Sequence, residues 1–276
     1  MRPSVAPRIE WRVDRNTAAA LLAQVSSTWA RLGEERPYWS VLASDQFLPE
    51  NASSQREAFY QSGAGDTAMI LEAMARIGCD PGQFPVFFEF GCGLGRVTSH
   101  LYKHFRRVIA CDISPSHLAI ARSVLQQRGI TNVELRQVIG ADFGMSDRFN
   151  IWFSRLVLQH NSPPLIALIL KRAFSLLASG GIALFQVPID APGYRFNVKE
   201  YMKTLGPTGE FEMHALPQQV ILDLARGAGC RVLELNEDAV SGPPWTSRLF
   251  VLRKQEPLRR RLAGYGRRAL FGGGSG

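Results

Sequence analysis

The sequence has no long apolar run, and its 276 residues do not open on an apolar leader. Its most apolar stretch, residues 165–170, is far shorter than the roughly 20 residues that a membrane-spanning helix needs, and Lys171 follows it directly. The first 14 residues mix charge with proline, where a secretory signal would have an uncharged apolar segment. These absences argue against a membrane span and predict a cytoplasmic protein.

Cysteine is also scarce, and the four that are present form no C-x-x-C pair. This excludes a zinc ribbon and a disulfide framework, and it favours a reducing compartment. His100 and His104 have the spacing of metal ligands on one helix face, but the neighbouring sequence supplies no acidic or cysteine partner. We therefore predict no metal site. Hydrophobic residues make up 46% of the chain and charged residues 20%, which is typical of a globular protein and excludes disorder throughout.

The formal net charge of +8 belongs mainly to the end of the sequence. Residues 257–276 contain five arginines and no acid, which leaves +3 for the rest of the chain. A charge confined to one end argues against a nucleic-acid groove through the fold. Apolar and aromatic residues alternate with these arginines, so the basic flexible tail is either a solvated end or a peripheral contact with an acidic membrane.

The sequence predicts three regions. Residues 1–57 form an N-terminal arm and a helical cap, residues 58–256 form the main domain, and residues 257–276 form the tail. Within the cap, the apolar spacing predicts a helix over 17–32, and Asn16 is a candidate for its N-cap.

The segment after this helix contains several prolines and serines and an aspartate. Residues 37–53 are interpreted as an irregular connection. A second helical region then runs to Ile77, and we expect it to break at Gly63 and Gly65 because glycine disfavours a helix interior.

From Pro85 onward, short apolar segments alternate with helical patterns. This alternation is typical of right-handed crossover units, and it predicts a doubly wound α/β domain with a mainly parallel sheet behind the helical N-terminal cap. The last two strands are joined by a short turn at residues 241–245, so one of them is expected to be antiparallel. Helices are expected over 94–105, 115–128, 163–178 and 216–228, and strands over 86–90, 107–111, 133–138, 150–154, 181–187, 231–235 and 247–253.

The most informative segment is the strand, turn and helix of residues 86–101. An apolar strand is followed by Gly91, Gly93 and Gly95, and then by a helical pattern. Glycines at such a turn let a ligand approach the backbone closely and face the positive end of the helix. The G-x-G-x-G spacing differs from the G-x-G-x-x-G of dinucleotide-binding folds. Taken alone, the turn fits either a nucleotide cofactor or a plain structural turn.

Asp112 strengthens the cofactor interpretation. It follows the next predicted strand and lies 21 residues after Gly91. A carboxylate at this place can accept hydrogen bonds from both hydroxyls of a ribose, a charge-assisted contact worth roughly 1.5–3 kcal/mol. The alternative is a solvated aspartate that precedes the helix start at Ser114. The glycine turn and Asp112 together favour a ribose-containing cofactor.

The sequence resembles the class I S-adenosylmethionine-dependent methyltransferases of the bacterial small-molecule type. The resemblance covers about residues 58–253 and rests on EFGCGLGR (89–96), CDIS (111–114), ADF (141–143) and FNIWFSRLVLQHN (149–161). It implies S-adenosyl-L-methionine as the cofactor and a Rossmann-like seven-stranded sheet of order 3-2-1-4-5-7-6 with strand 7 antiparallel. One departure is Asn150, because the family often has an acid at this position and an amide cannot act as a base.

The resemblance also implies roles for individual residues. The glycines would pack against the methionine part of the cofactor, Asp112 would bind the ribose, and Ile113 would contact the adenine. Asp142 would recognise the adenine amino group, with Phe143 beside it. Arg96 would pair with the cofactor carboxylate or with a substrate acid, or it is a surface arginine. The complete predicted cofactor site consists of Tyr60, Glu89, Gly91, Cys92, Gly93, Gly95, Arg96, Asp112, Ile113, Asp142, Phe143 and Ser154.

His160 is the candidate catalytic residue. It follows the fourth strand, near the ends of the strands where ligands bind in such sheets, and imidazole titrates near neutral pH. A general base would favour an O-directed reaction on a sugar, a lipid-linked molecule or another biosynthetic intermediate. The alternative is that His160 holds its loop by hydrogen bonding. The predicted substrate-binding residues are Gln159, Tyr194, Arg195 and His214, which otherwise pack as part of a surface lid.

Three other functions compete with this prediction. Residues 161–164 read Asn-Ser-Pro-Pro and superficially resemble a motif of nucleic-acid amino-methylating enzymes, but Ser162 and Pro163 are explained by a helix start. The glycine spacing disfavours an NAD-dependent oxidoreductase. A methyltransferase-like partner subunit that binds the cofactor without catalysis stays open.

Overall fold

The computed structural model describes residues 8–206 and 211–256. The predicted tail at residues 257–276 lies outside the described residues, and its contact with a membrane stays a prediction. Among the helices within these two ranges, none combines the length and the apolar character that a bilayer span requires.

The main domain is a sheet with helices on both faces. Its strands are β1 (Val86–Phe90), β2 (Arg107–Asp112), β3 (Val133–Gln137), β4 (Phe149–Ser154), β5 (Leu177–Asp190), β6 (Cys230–Glu237) and β7 (Thr246–Lys254). The α-helices of the described residues are α1 (Arg15–Glu35), α2 (Pro37–Val41), α3 (Pro49–Arg76), α4 (Thr98–Leu101), α5 (Pro115–Gln127), α6 (Pro163–Leu176), α7 (Val198–Lys203) and α8 (Gln218–Gly227).

The strand order is β3-β2-β1-β4-β5-β7-β6, as predicted. Four strand pairs are parallel, namely β1–β2, β1–β4, β2–β3 and β4–β5. β7 runs antiparallel to both of its neighbours, β5 and β6. The predicted hairpin between the last two strands is therefore confirmed. Because the strands at the centre are parallel, their carboxyl ends meet at one edge of the sheet and place the following loops side by side.

Alternate side chains of the central strands fill an apolar layer on each face of the sheet. In β1, Phe87 packs in the layer that contains Ile70 of α3, whereas Phe88 packs in the layer that contains Leu21 of α1 and Ile166 of α6. Each fully buried aromatic side chain contributes roughly 1.5–3 kcal/mol to folding. Burial on both faces explains why the strands read as continuous apolar runs.

The first helix begins earlier and ends later than predicted. Its N-cap is Asp14 and not Asn16, because the Asp14 carboxylate accepts hydrogen bonds from the backbone N–H groups of Asn16 and Thr17 at 2.8 and 2.9 Å. These bonds, with one from the Thr17 hydroxyl, lower the pKa of Asp14. The helix then continues to Glu35 and lies across the carboxyl ends of the strands.

The predicted helix break at Gly63 and Gly65 is wrong. α3 is continuous from Pro49 to Arg76, so it also takes up part of the connection that the sequence predicted to be irregular. Gly63 is needed for a close approach, since a Cβ there would lie 2.1 Å from the backbone oxygen of Arg96. α3 also runs across residues 57 and 58, and the domain boundary expected there stays a prediction.

Other element bounds differ by shorter segments. The helix expected over 94–105 is reduced to α4, because the residues after the glycine turn form further turns before Thr98. β5 is longer than predicted and already begins at Leu177.

Gly63→Ala should lower the free energy of unfolding by about 1–3 kcal/mol, because the added methyl group would force α3 away from the Arg96 carbonyl. Gly65→Ala is the matched control, since a Cβ at Gly65 meets nothing within 4 Å. That variant should be neutral or stabilised by up to about 1 kcal/mol. Urea unfolding of both variants measures the difference, and equal stability would contradict the proposed contact.

Candidate active site

The carboxyl ends of β1, β2 and β4 form the floor of a cleft that α1 and α2 cover. The cleft has an empty volume of about 930 Å³. Much of its wall is made by residues predicted to bind the cofactor, namely Glu89, Gly91, Cys92, Gly93, Arg96, Asp112, Ile113 and Phe143. The cap contributes apolar side chains, among them Leu22, Val25, Trp29 and Val41. The cleft is therefore a polar floor under an apolar roof.

The glycine turn has the close contacts that the sequence suggested. Gly91, Gly93 and Gly95 have φ angles of 79°, 52° and 78°, in the region that favours glycine. A Cβ on Gly91 would lie 2.3 Å from a methyl carbon of Val157, and one on Gly93 would lie 2.8 Å from a methyl carbon of Val41. Side chains at these two positions would narrow the cleft, so the turn needs glycine for space as well as for conformation.

The Asp112 carboxylate is fixed at the end of β2. Its Oδ2 accepts a hydrogen bond from the Gly93 N–H at 2.8 Å, and its Oδ1 accepts one from the Ser114 N–H at 2.9 Å. An ionised carboxylate has about four acceptor positions, so these bonds leave room for hydroxyl donors. This geometry favours the predicted ribose contact over a solvated aspartate, because Asp112 is only 8% exposed.

Glu89 is a second carboxyl group in the cleft wall. Burial raises its pKa to about 8, and the negative charges of Asp66 and Asp112 add to the effect. The Thr98 hydroxyl donates to Glu89 Oε2 at 2.6 Å and acts in the opposite direction on the pKa. The side chain is therefore mostly protonated at neutral pH.

Two arginines and two aspartates form an ionic network beside the glycine turn. Asp66 of α3 pairs with both Arg96 and Arg155, and Arg155 Nε and Nη2 lie 3.0 and 3.1 Å from the carboxylate oxygens of Asp238. Arg96 is only 8% exposed, so the surface alternative for this residue is wrong. The Arg96 Nε–H is buried without a hydrogen-bond partner.

No motif in the sequence predicted this network. Arg155 lines the cleft from the loop after β4, and its partner Asp66 is 89 residues away in the chain. Neither residue stands in one of the segments that carry the glycine turn or the β2 aspartate. Only the folded chain brings them together.

Four of the predicted cofactor residues do not line the cleft. The Tyr60 hydroxyl donates to the Leu94 carbonyl at 3.3 Å, behind the glycine turn. Gly95 packs against Ala121, and Ser154 is buried with no partner for its hydroxyl. Asp142 is exposed and accepts a hydrogen bond from the backbone N–H of Gly144 at 3.0 Å. Contacts of these residues with a cofactor stay predictions.

His160 lies beside the cleft but does not line it. Its Nδ1 is 3.0 Å from the Glu212 carbonyl oxygen, which only accepts, so Nδ1 carries the proton. Its Nε2 is 3.2 Å from Nε2 of Gln159, which donates to it. The ring centroid lies 5.3 Å from that of Trp29. Trp29 and Val25 line both the main cleft and the smaller cavity at His160.

Burial keeps the His160 imidazole neutral. It lowers the pKa of this side chain to about 4, while the bond to Glu212 acts in the other direction. Gln159 is held in place because its Oε1 accepts hydrogen bonds from the Ser241 hydroxyl at 2.8 Å and from Gln186 Nε2 at 3.2 Å. Both residues therefore form part of a buried network that fixes the loop after β4.

The other predicted substrate residues lie away from the cleft. The Tyr194 hydroxyl is 2.9 Å from His214 Nδ1, and His214 Nε2 is 3.0 Å from a Glu212 carboxylate oxygen. Arg195 is exposed. These contacts match the alternative of a packed lid, and substrate contacts of Tyr194, Arg195 and His214 stay predictions.

Asn150 lies at the end of the sheet opposite to the cleft. It is the second residue of β4, and its side-chain oxygen accepts a hydrogen bond from the Val86 N–H at 3.0 Å. The amide thus joins the beginnings of β4 and β1. A base at this position would be remote from the carboxyl ends of the strands.

Comparisons with known proteins agree with this fold. Residues 87–181 match a family model described as a methyltransferase domain. The chain is 25% identical over 154 residues to a ubiquinone biosynthesis O-methyltransferase of Acinetobacter baumannii strain ACICU. That match covers 53% of this chain and 64% of the relative, so the chain spans less than two thirds of the length of the curated relatives it matches.

Solved structures extend the likeness to most of the chain. A magnesium protoporphyrin IX methyltransferase from Synechocystis PCC 6803 with bound S-adenosylhomocysteine has a TM-score of 0.59 and 16% identity, covering 85% of this chain and all of that one. SpnF, described as a cyclase, has a TM-score of 0.56 and 13% identity, covering 84% of this chain and 97% of that one. At these identities the likeness concerns the fold alone.

Residues 87–181 thus match a methyltransferase domain, and the sheet has the class I methyltransferase fold, in agreement with the resemblance seen in the sequence. A cyclase shares the same fold. The fold alone therefore does not define the reaction, which depends on the residues of the site.

His160→Asn should remove a pH dependence of stability. With a pKa of about 4 in the fold and 6.5 in the unfolded chain, His160 stabilises the fold fully above pH 6.5. That contribution, on the order of 3 kcal/mol, is lost as the pH falls from 6.5 toward 4. Asparagine can still donate to the Glu212 carbonyl but does not titrate.

Chemical denaturation at pH 4 to 7 measures this effect. His104→Asn is the control, because His104 is exposed and should leave the pH dependence of the wild type unchanged. If His160→Asn has the same pH profile as the wild type, the imidazole is not buried in its neutral form.

Proposed function

We propose that the chain transfers a methyl group from S-adenosyl-L-methionine to a small-molecule acceptor. The observation that carries the proposal is the buried Asp112 carboxylate, which is bonded to the glycine turn and faces a covered cleft. The methyltransferase domain match over residues 87–181 supports the same reaction. The cap favours a small acceptor, because side chains of α1 and α2 cover the cleft.

The residues of the cleft fit this cofactor. Asp112 has acceptor positions free for ribose hydroxyls, and Ile113 and Phe143 supply apolar surface for the adenine. The buried, unpartnered Nε–H of Arg96 suits the cofactor carboxylate. When bound, the cofactor supplies a methyl group that its sulfonium sulfur activates.

The chain itself contributes position and the exclusion of water. Methyl transfer needs the acceptor atom, the carbon and the sulfur in line, and holding two reactants in that geometry contributes roughly 7–11 kcal/mol. Trp29 and Val25 of the cap form the apolar side of the cleft. Their packing keeps water away from the reacting atoms while the floor holds the cofactor.

The finer proposal is transfer to an oxygen atom with His160 as the general base. Its Nε2 is the unprotonated nitrogen, and the low pKa keeps it so at neutral pH. The name of the matched relative, an O-methyltransferase, supports the same direction. The role requires the Gln159 amide and the Trp29 ring to shift, because they now separate Nε2 from the main cleft.

Asp112→Asn should weaken the binding of S-adenosylhomocysteine by tenfold or more, because a charge-assisted contact worth about 1.5–3 kcal/mol is lost. Asp223→Asn is the control, since Asp223 lies on the exposed face of α8. Isothermal titration calorimetry with S-adenosylhomocysteine and with NAD measures both variants. Binding of NAD in place of S-adenosylhomocysteine, or neither ligand, would refute the proposed function.

His160→Asn should reduce methyl transfer by about a hundredfold or more while affinity for S-adenosylhomocysteine stays within about twofold. The measurement is transfer of label from radiolabelled S-adenosylmethionine to metabolite extracts, with His104→Asn as the control. The asparagine amide can still donate a hydrogen bond to the Glu212 carbonyl oxygen, so the loop after β4 should keep its conformation. Full turnover by His160→Asn would show that this residue positions the loop and is not the base.

A further inference from the structure

His117 is a buried polar residue of the cleft wall that is not among the predicted cofactor or substrate residues. It lies in the first turn of α5, directly after β2, and its backbone N–H donates to the Ser114 hydroxyl that caps this helix. It is 1% exposed. In the sequence, His117 is indistinguishable from an ordinary residue of the helix that starts at Ser114.

The hydrogen bonds around the ring determine which of its nitrogens carries a proton. The Ser40 hydroxyl has one proton, which it donates to the Pro37 carbonyl at 2.9 Å. The same hydroxyl lies 2.9 Å from His117 Nε2 and so accepts from it. These contacts place the proton on Nε2, and in this tautomer Nδ1 is left as an acceptor.

His117 Nδ1 is buried without a hydrogen-bond partner. Its nearest charged neighbour is Asp112 Oδ1 at 3.6 Å, which also accepts and is too far for a hydrogen bond. An unpaired acceptor in a protein interior costs about 1–3 kcal/mol, so it needs an explanation. Two acceptors this close, on the wall of a cleft, are suited to a ligand that offers two neighbouring O–H donors.

We propose that His117 Nδ1 accepts a hydrogen bond from one ribose hydroxyl of the cofactor while Asp112 accepts from the other. This assignment rests on the proposed function, because it takes the ligand to be an adenosyl compound. A ribose carries two adjacent hydroxyls, each with one proton to donate, and His117 Nδ1 and the Asp112 carboxylate are two neighbouring acceptors 3.6 Å apart.

The ring is held in place from the other side by the cap. A Cβ on Gly33 of α1 would lie 2.2 Å from the Ser114 hydroxyl and 3.2 Å from the His117 ring, so α1 packs directly on this turn. The bond to Ser40 belongs to α2. His117 thus connects the predicted ribose position to both cap helices through one rigid ring.

The test uses two substitutions and three ligands. His117→Leu removes both ring nitrogens, and His117→Asn keeps an acceptor near the position of Nδ1. The ligands are S-adenosylhomocysteine and its analogues that lack either the 2′ or the 3′ hydroxyl. Calorimetry on the full chain gives each affinity, and His104→Asn is the control for a histidine on the exposed surface.

We expect His117→Leu to bind S-adenosylhomocysteine about three- to tenfold more weakly than the wild type, as for one neutral hydrogen bond. His117→Asn should restore most of the affinity. One of the two deoxy analogues should bind His117→Leu as well as the parent ligand does, because the partner of that hydroxyl is already gone. Wild-type affinity in His117→Leu, or undiminished discrimination against both analogues, would overturn the assignment.

A spectroscopic measurement covers the case in which His117→Leu does not fold. In the wild type labelled with ¹⁵N-histidine, the free protein should show the Nε2–H tautomer for His117, and S-adenosylhomocysteine should shift the Nδ1 resonance. A protonated Nδ1 in the free protein, or no shift on binding, would overturn the inference. If the wild type binds no S-adenosylhomocysteine at all, the proposed function itself has failed.

Discussion

The carboxylate of Asp112 holds together the parts of the molecule on which the cleft depends. By accepting hydrogen bonds from Gly93 and Ser114, it joins the turn after β1 to the start of α5. Ser114 is the N-cap residue of α5, and backbone N–H groups at a helix start need partners. Gly91 and Gly93 of this turn have no room for side chains, because a Cβ there would meet Val157 and Val41. The floor of the cleft is thus fixed before any ligand is present.

The charges of the cleft are close to balance. Arg96 and Arg155 share Asp66, and Arg155 also pairs with Asp238, so these four groups neutralise one another. Glu89 adds little charge because burial raises its pKa to about 8. Asp112 then leaves the cleft with about one negative charge, which complements the net positive charge of S-adenosyl-L-methionine. These ion pairs hold α3 against the loops after β1 and β4. Buried ion pairs add little net stability to a fold, so their main effect here is to fix the positions of these elements.

The cap separates the main cleft from the small cavity at His160. α1 and α2 give the cleft its apolar roof, and Trp29 separates the main cleft from the small cavity that contains His160. His160 is half-buried and hydrogen-bonded at both nitrogens, and its lowered pKa keeps it neutral, which suits a residue that anchors the loop. A base role needs a rearrangement at Trp29, so the residue that decides access to His160 belongs to the cap and not to the sheet.

The sequence by itself determined the alternation of strands and helices, the antiparallel pairing of the last two strands, the glycine turn and the aspartate at the end of β2. These features follow from local patterns, whereas the strand order was implied by the resemblance to the class I methyltransferases. The sequence wrongly predicted a break in α3, which is continuous. The close packing of Gly63 on the Arg96 carbonyl outweighs the low helix propensity of glycine. Only the tertiary structure decided that Arg155 joins Arg96 through Asp66, that His117 faces Asp112 and that His160 lies behind Trp29. Each of these depends on how helices far apart in the chain pack on the sheet, and no spacing along the sequence encodes that.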